Sequence, residues 1–480
     1  MRLDKEMDIY KEAAFRSAYK LLVRKRSFII LSGLFIFYLG MFLRYRPYDI
    51  DNPWFLSFSY NSYVEHICTD QFMNVRFPGG MDGTFFFGKL AALVQFALLS
   101  HVGWQQWPTA VIASSFVVFS LAMWWIQLRR LGYSDSFVSA FLIIAGLSEP
   151  FLSAANKFRY EYFSFALLSS GLLLVAYRKP VLGILVAALS VEVQPAAVIG
   201  LIPAIVLLYS MNRRTIGLIV RLACGLLLAV AAYFSLHPGI LHLSHTWRHS
   251  ELSSVVWSGG FFSSFFFQRH RHLPELTIFL VAGVYYWRKR SEISSHYLGI
   301  SALAMSIFSL IMPHGNPSYM IFLYPFLIAM ALSVVKVERQ LKAVTILACA
   351  YAVLQYAPLI YMNRNLGYRL QDIDQVAALI RDAERQLAIR DDDLRIYGDY
   401  ALWFAHPHFY RAAAQTTILD AKDADLYLCF DHPLQGALPI SEGMFLCPDI
   451  KRVVPLRLLS TAMVRGSELY LYCKQRDVPK

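Results

Sequence analysis

Twelve apolar runs of membrane-spanning or near-spanning length, joined by short polar connections, constrain this 480-residue chain more than any other feature. They lie at about 27–43, 86–103, 109–127, 137–153, 162–177, 180–193, 196–210, 215–235, 273–287, 296–312, 318–335 and 343–362. A spanning helix needs roughly 20 apolar residues, because hydrocarbon offers no partner for an unpaired backbone group. With 57% hydrophobic residues, 16% charged residues and a mean hydropathy of +0.44, the chain carries more apolar surface than a soluble core can bury. It reads as a polytopic α-helical membrane protein.

Positive charge sets the expected orientation. Basic clusters stand at Met1–Arg26, Arg129-Arg130, Arg178-Lys179, Arg213-Arg214, Arg288-Lys289-Arg290 and Lys336–Lys342, and all of them should face the cytoplasm. Twelve crossings would put Arg129-Arg130 and every later cluster outside. If Phe85–Trp104 lies along the outer interface instead, about eleven spans remain and all six clusters fall inside. Lys89, the wet Gln105–Pro108 and the terminal Trp and Phe suit an interfacial segment. The first run lacks a small-residue cleavage site and is expected to stay as an anchor. The expected layout is a basic cytoplasmic segment 1–26, a transmembrane region 27–362 with an exterior loop 44–108, and an exterior (periplasmic) domain 363–480, in an inner (plasma) membrane. In that last segment Leu370–Arg390 has amphipathic helical spacing, and Leu394–Tyr397, Asp425–Phe430 and Glu468–Lys474 read as short strands, which predicts a small α/β soluble domain.

The net charge of +12 sits in short loops rather than on a continuous basic face, which excludes nucleic acid as the expected partner. Six cysteines form no CxxC pair and no Cys/His metal spacing.

The polar residues that interrupt the apolar pattern fall on the exterior side of this layout. Asp49 and Asp51 follow the first run within Arg44–Phe55, amid aromatic residues. Carboxylates beside a bilayer suit a general base or a metal ligand, and a solvated turn at Asn52-Pro53 is the plain alternative. Asn156–Glu161 is a charged island in which Arg159 and Glu161 either serve a site or pair with each other at helix ends. Glu192 beside Gln194-Pro195 is an acid at membrane depth, expected together with Glu161 to support the site from behind. The loop His237–His272 carries six histidines with Arg248, Arg269 and Arg271. Arginines among the histidines repel a cation, so anion capture fits better than a metal. His314 and Tyr319 supply further donors near a later run.

In these residues the chain resembles the GT-C superfamily of integral-membrane glycosyltransferases, which includes the protein O-mannosyltransferases and the aminoarabinose transferases. Asp49-Ile50-Asp51 matches the acidic position after the first span. Phe85–Trp104 matches a juxtamembrane helix, Leu128–Gly132 a basic cytoplasmic turn, Arg159 and Glu161 a second polar motif, and His314–Pro325 a late His, Tyr and Pro region. The resemblance implies transfer of a sugar from a polyprenyl-phosphate donor to a lipid, glycan or protein acceptor at the outer membrane face, amid membrane lipids. Asp51, with Asp49 beside it, would act as base on the acceptor hydroxyl. Lys89, Arg159, Arg248, Arg269, Arg271, His314 and Tyr319 would hold the donor phosphate. No cofactor is required, although a divalent metal at Asp49 and Asp51 fits a pyrophosphate donor. The competing expectations are a polysaccharide polymerase or ligase using a pyrophosphate-linked glycan, and a secondary transporter or flippase.

Overall fold

The computed structural model describes residues 25–43, 51–66, 88–211, 215–237, 260–267, 272–289, 296–311, 317–335, 337–366, 370–390, 393–398, 400–408, 410–412, 425–430, 444–446, 455–459 and 464–474. Among the described residues, every apolar run falls on helical structure. The helices are α1 (Lys25–Leu43), α2 (Asp51–Tyr63), α3 (Lys89–Val102), α4 (Gln106–Arg130), α5 (Asp135–Leu147), α6 (Glu149–Asn156), α7 (Glu161–Ala176) and α8 (Pro180–Val193). A 3-10 turn, Pro195–Gly200, leads into α9 (Leu201–Met211) and is followed by α10 (Thr215–Leu236), α11 (Gly260–Phe266), α12 (Leu273–Lys289) and α13 (His296–Ile311). A second 3-10 turn, Pro317–Tyr319, leads into α14 (Met320–Ser333), then α15 (Glu338–Leu366) and α16 (Leu370–Leu387). Among the described residues, four stretches are each long and apolar enough to cross a membrane alone: Lys25–Leu43, Gln106–Arg130, Ile216–Leu236 and Glu338–Pro358.

The run 137–153, read above as one segment, is two helices. α5 and α6 meet at a 57° bend. Ser148 between them is extended, and Pro150, which lacks an N–H, occupies the first turn of α6, where no intrahelical donor is needed. The bend turns α6 against α4 and the Pro317–Tyr319 turn.

The interior is aromatic and close-packed. Trp124 of α4 is fully buried, stacked on Phe141 at 5.3 Å and edge-on to Phe326 at 4.9 Å. α7 and α8 form the tightest hairpin because Gly171 and Gly183 face each other: a Cβ on Gly171 would lie 2.7 Å from the Gly183 carbonyl. Small residues let helix backbones approach where lipid supplies no hydrophobic drive between helices.

Both ends of α3 touch one end of the bundle. Its first residue meets the end of α8, while Leu99 near its last turn enters a cluster with Phe42, Ala110 and Phe158. That cluster is completed by the C-terminal region, through Val376 and Ile380 of α16 with Leu394, Ile396, Trp403 and Leu426. The region after α16 forms a six-stranded sheet from β1 (Ile396–Gly398), β2 (Tyr410–Ala412), β3 (Leu426–Phe430), β4 (Met444–Leu446), β5 (Pro455–Leu459) and β6 (Val464–Lys474). The order is β2-β1-β3-β6-β4; β2, β1 and β3 are parallel, and β6 is antiparallel to β3, β4 and β5. The three strands expected from the sequence fall on β1, β3 and β6. The other three are missed, and two of them are only three residues long.

Candidate active site

Asp51 is the first residue of α2, and its backbone position is what the structure gives; Asp49, Arg248, Arg269, Arg271 and His314 lie outside the described residues. One turn past position 51 on the same helix face stands Phe55. The Phe55 ring meets Tyr160 edge-on at 4.6 Å, and the Tyr160 hydroxyl donates to the Phe55 carbonyl at 3.2 Å. A further turn on, Ser59 bonds Gln95 of α3, whose amide donates to the Tyr162 hydroxyl at 2.9 Å. These contacts fix the start of α2 against the α6–α7 connection.

That connection holds the buried ion pair of the site. Arg159 Nε donates to Glu161 Oε1 at 2.8 Å, and the two residues are 5% and 1% exposed. The guanidinium carbon lies 5.4 Å from the centre of the Phe55 ring and 5.8 Å from that of Tyr319. An arginine held against two aromatic faces keeps its charge in a dry setting. Gln194 also donates to Glu161 Oε1, at 3.3 Å. The structure thus gathers Arg159, Glu161, Tyr319 and Phe55 of α2.

Glu192 is placed beside this group at the end of α8. Its Oε1 accepts from the backbone N–H of Lys89 at 2.9 Å and of Leu90 at 3.4 Å, capping α3, and bonds His237 Nε2 at 2.9 Å. Its own carbonyl accepts from Gly88 N–H at 2.6 Å. Gly88 has φ +80°, and a Cβ there would lie 2.2 Å from the Tyr160 ring, so only glycine fits between α3 and the α6–α7 connection. The Lys89 ammonium donates to the Leu236 carbonyl at 3.1 Å, tying it to the start of the histidine- and arginine-rich loop.

The far end of that loop carries a second polar group that the sequence reading missed. His272 Nε2 lies 2.8 Å from Glu149 Oε2 and its Nδ1 3.3 Å from Glu275 Oε2; Phe265 stacks on the ring at 4.1 Å. Tyr324 donates to Glu275, and Gln355 reaches it at 3.4 Å. Glu149 and Glu275 fall inside or beside apolar runs, and an acid in such a run was the signal available. Burial works against charge on His272, but its two carboxylate neighbours outweigh it and hold its pKa above the ordinary histidine value. Among the described residues no group of three His, Cys, Asp or Glu side chains is placed to hold a metal.

A helical bundle with short helices and a buried polar site at one end, joined there to an α/β region, is a fold that this chain shares with solved structures of ArnT. The crystal structure of ArnT from Cupriavidus metallidurans bound to undecaprenyl phosphate is similar to this chain, with a TM-score of 0.59 and 12% identity, over 97% of this chain and 100% of that one. The apo structure of the same ArnT is similar with a TM-score of 0.57 and 12% identity, over 95% of this chain and 98% of that one. No family model matches the chain, and no curated protein sequence does.

Proposed function

We propose that this chain is a membrane glycosyltransferase that moves a sugar from a polyprenyl-phosphate donor to an acceptor at the outer face of the membrane. The observation that carries the reading is that Phe55, one turn past position 51 on α2, has its ring 5.4 Å from the guanidinium of the buried Arg159–Glu161 pair. It is supported by the fold shared over nearly the whole chain with a protein that binds undecaprenyl phosphate.

In this reading the Asp51 carboxylate takes the proton of the acceptor hydroxyl as its oxygen attacks the anomeric carbon. The bond from that carbon to the phosphate oxygen breaks, and the lipid phosphate leaves with the electron pair. Arg159 receives the developing negative charge, with Tyr319 behind it and Glu161 fixing its plane. Lys89, His314 and the loop arginines Arg248, Arg269 and Arg271 add positive charge or hydrogen-bond donors, and Asp49 assists Asp51. A polyprenyl monophosphate leaves without a metal; a pyrophosphate donor would call for one at Asp49 and Asp51.

The test is transfer by the purified full-length protein from labelled polyprenyl-phosphate sugars. Asp51→Asn should lower turnover by about 10² to 10⁴ with the thermal midpoint unchanged. Near-normal turnover would remove Asp51 as base. Transfer only from a pyrophosphate-linked glycan would favour the polymerase or ligase reading.

A further inference from the structure

The mechanism above uses the arginine of the 156–161 connection and leaves three of its buried polar atoms without a task. Asn156 is 2% exposed, and neither its Oδ1 nor its Nδ2 has a hydrogen-bond partner among the described residues. Glu161 Oε1 is used by Arg159 and Gln194, while its Oε2, equally buried, has no such partner. Native proteins leave few buried polar atoms unpaired, and a primary amide offers both two donors and an acceptor.

All three atoms lie within six residues on the connection that holds Arg159. Asn156 ends α6, the helix that the 57° bend turns against the Pro317–Tyr319 turn, so it stands at the end of the bundle where Arg159 meets Tyr319. A carboxylate oxygen repels phosphate, and a primary amide is neutral. The pair therefore complements hydroxyl groups rather than the anion: Glu161 Oε2 accepts from one hydroxyl, and the Asn156 amide donates to one and accepts from a neighbour.

We propose that Asn156 and Glu161 Oε2 form a subsite for the sugar ring of the lipid-linked donor, next to the phosphate held by Arg159. The inference rests on the glycosyltransferase reading and deepens it by assigning the residues that recognise the sugar.

Binding of undecaprenyl phosphate, bare or carrying glucose, mannose or arabinose, to the purified full-length protein tests it. Wild type should bind at least one sugar-bearing lipid more tightly than the bare lipid. Asn156→Leu, close in shape and apolar, should lose about tenfold in affinity for that lipid and leave bare-lipid affinity unchanged. It should also raise the thermal midpoint of the free protein, because an unpaired buried amide has been replaced by an apolar group. Asn156→Ala should show the same loss of discrimination if leucine disturbs folding. The proposal is overturned if discrimination survives in both variants, if bare lipid weakens equally, or if only the acceptor KM rises, which would place the acceptor there. A lowered midpoint with discrimination intact also overturns it, as for an amide that only holds a structural water. Wild type that binds neither lipid form would instead overturn the donor-class reading itself, and wild type that binds both equally would overturn the subsite alone.

Discussion

The two ends of the histidine- and arginine-rich loop are anchored in opposite ways. At the first end several donors converge on one acceptor: Glu192 Oε1 takes the N–H groups of Lys89 and Leu90 and the ring of His237. At the second end one imidazole is shared by two acceptors, Glu149 and Glu275. Both histidines are fully buried. The first anchor therefore depends on a single carboxylate, while the second has a spare carboxylate but depends on a proton, since two acids around one ring are balanced best when the ring is charged.

The sharpest way to break this contrast is Glu192→Ala. It removes the cap of α3, the partner of His237 and the anchor beside Lys89 in one step, and should cost about 3–5 kcal/mol, read as a lower thermal midpoint in detergent. Glu149→Gln should cost less, about 1–2 kcal/mol, because Glu275 still faces His272. A larger loss for Glu149→Gln than for Glu192→Ala would reverse the comparison. The smallest expected effect is on pH dependence. The His272 pKa is raised in the fold, so its contribution is complete below the unfolded value of about 6.5 and is lost as pH rises through the folded value. His272→Gln should flatten that decline in the midpoint above about pH 6.5; an unchanged pH profile would show that the ring does not carry it.

The sequence made some of these features legible and hid others for physical reasons. Helices were readable because an apolar run long enough for a bilayer has few other conformations, so each run fell on helical structure. Lys89 and the polar Gln105–Pro108 set Phe85–Trp104 apart from the other apolar runs, and α3 is a helix whose first residue meets Glu192. The pairing of Arg159 with Glu161 was open from their spacing, but the approach of the Arg159 guanidinium to Phe55 and Tyr319 joins residues far apart in the chain, and no local pattern encodes it. Ser148 and Pro150 signalled a helix start that continuous hydropathy concealed, and with it the position of Glu149. Strands such as Tyr410–Ala412 and Met444–Leu446 are too short to carry a period of two. The role of Glu192 was understated for a similar reason: which backbone it caps depends on packing alone.

The cluster that joins the C-terminal region to the bundle reaches Leu56 in the middle of α2, and Tyr60 of the same helix lies 6.0 Å from Trp403, ring to ring. The His408 ring bonds Glu65 just beyond α2 at 3.2 Å. The helix that opens with Asp51 thus shares its apolar support with residues synthesised roughly 300 positions later, a delay on the order of tens of seconds at ribosomal speed. During biogenesis the membrane helices can insert and associate while α2 still lacks its C-terminal packing partners. That end of the bundle is completed only when the C-terminal region arrives, so a nascent or prematurely terminated chain occupies the membrane without a finished candidate site.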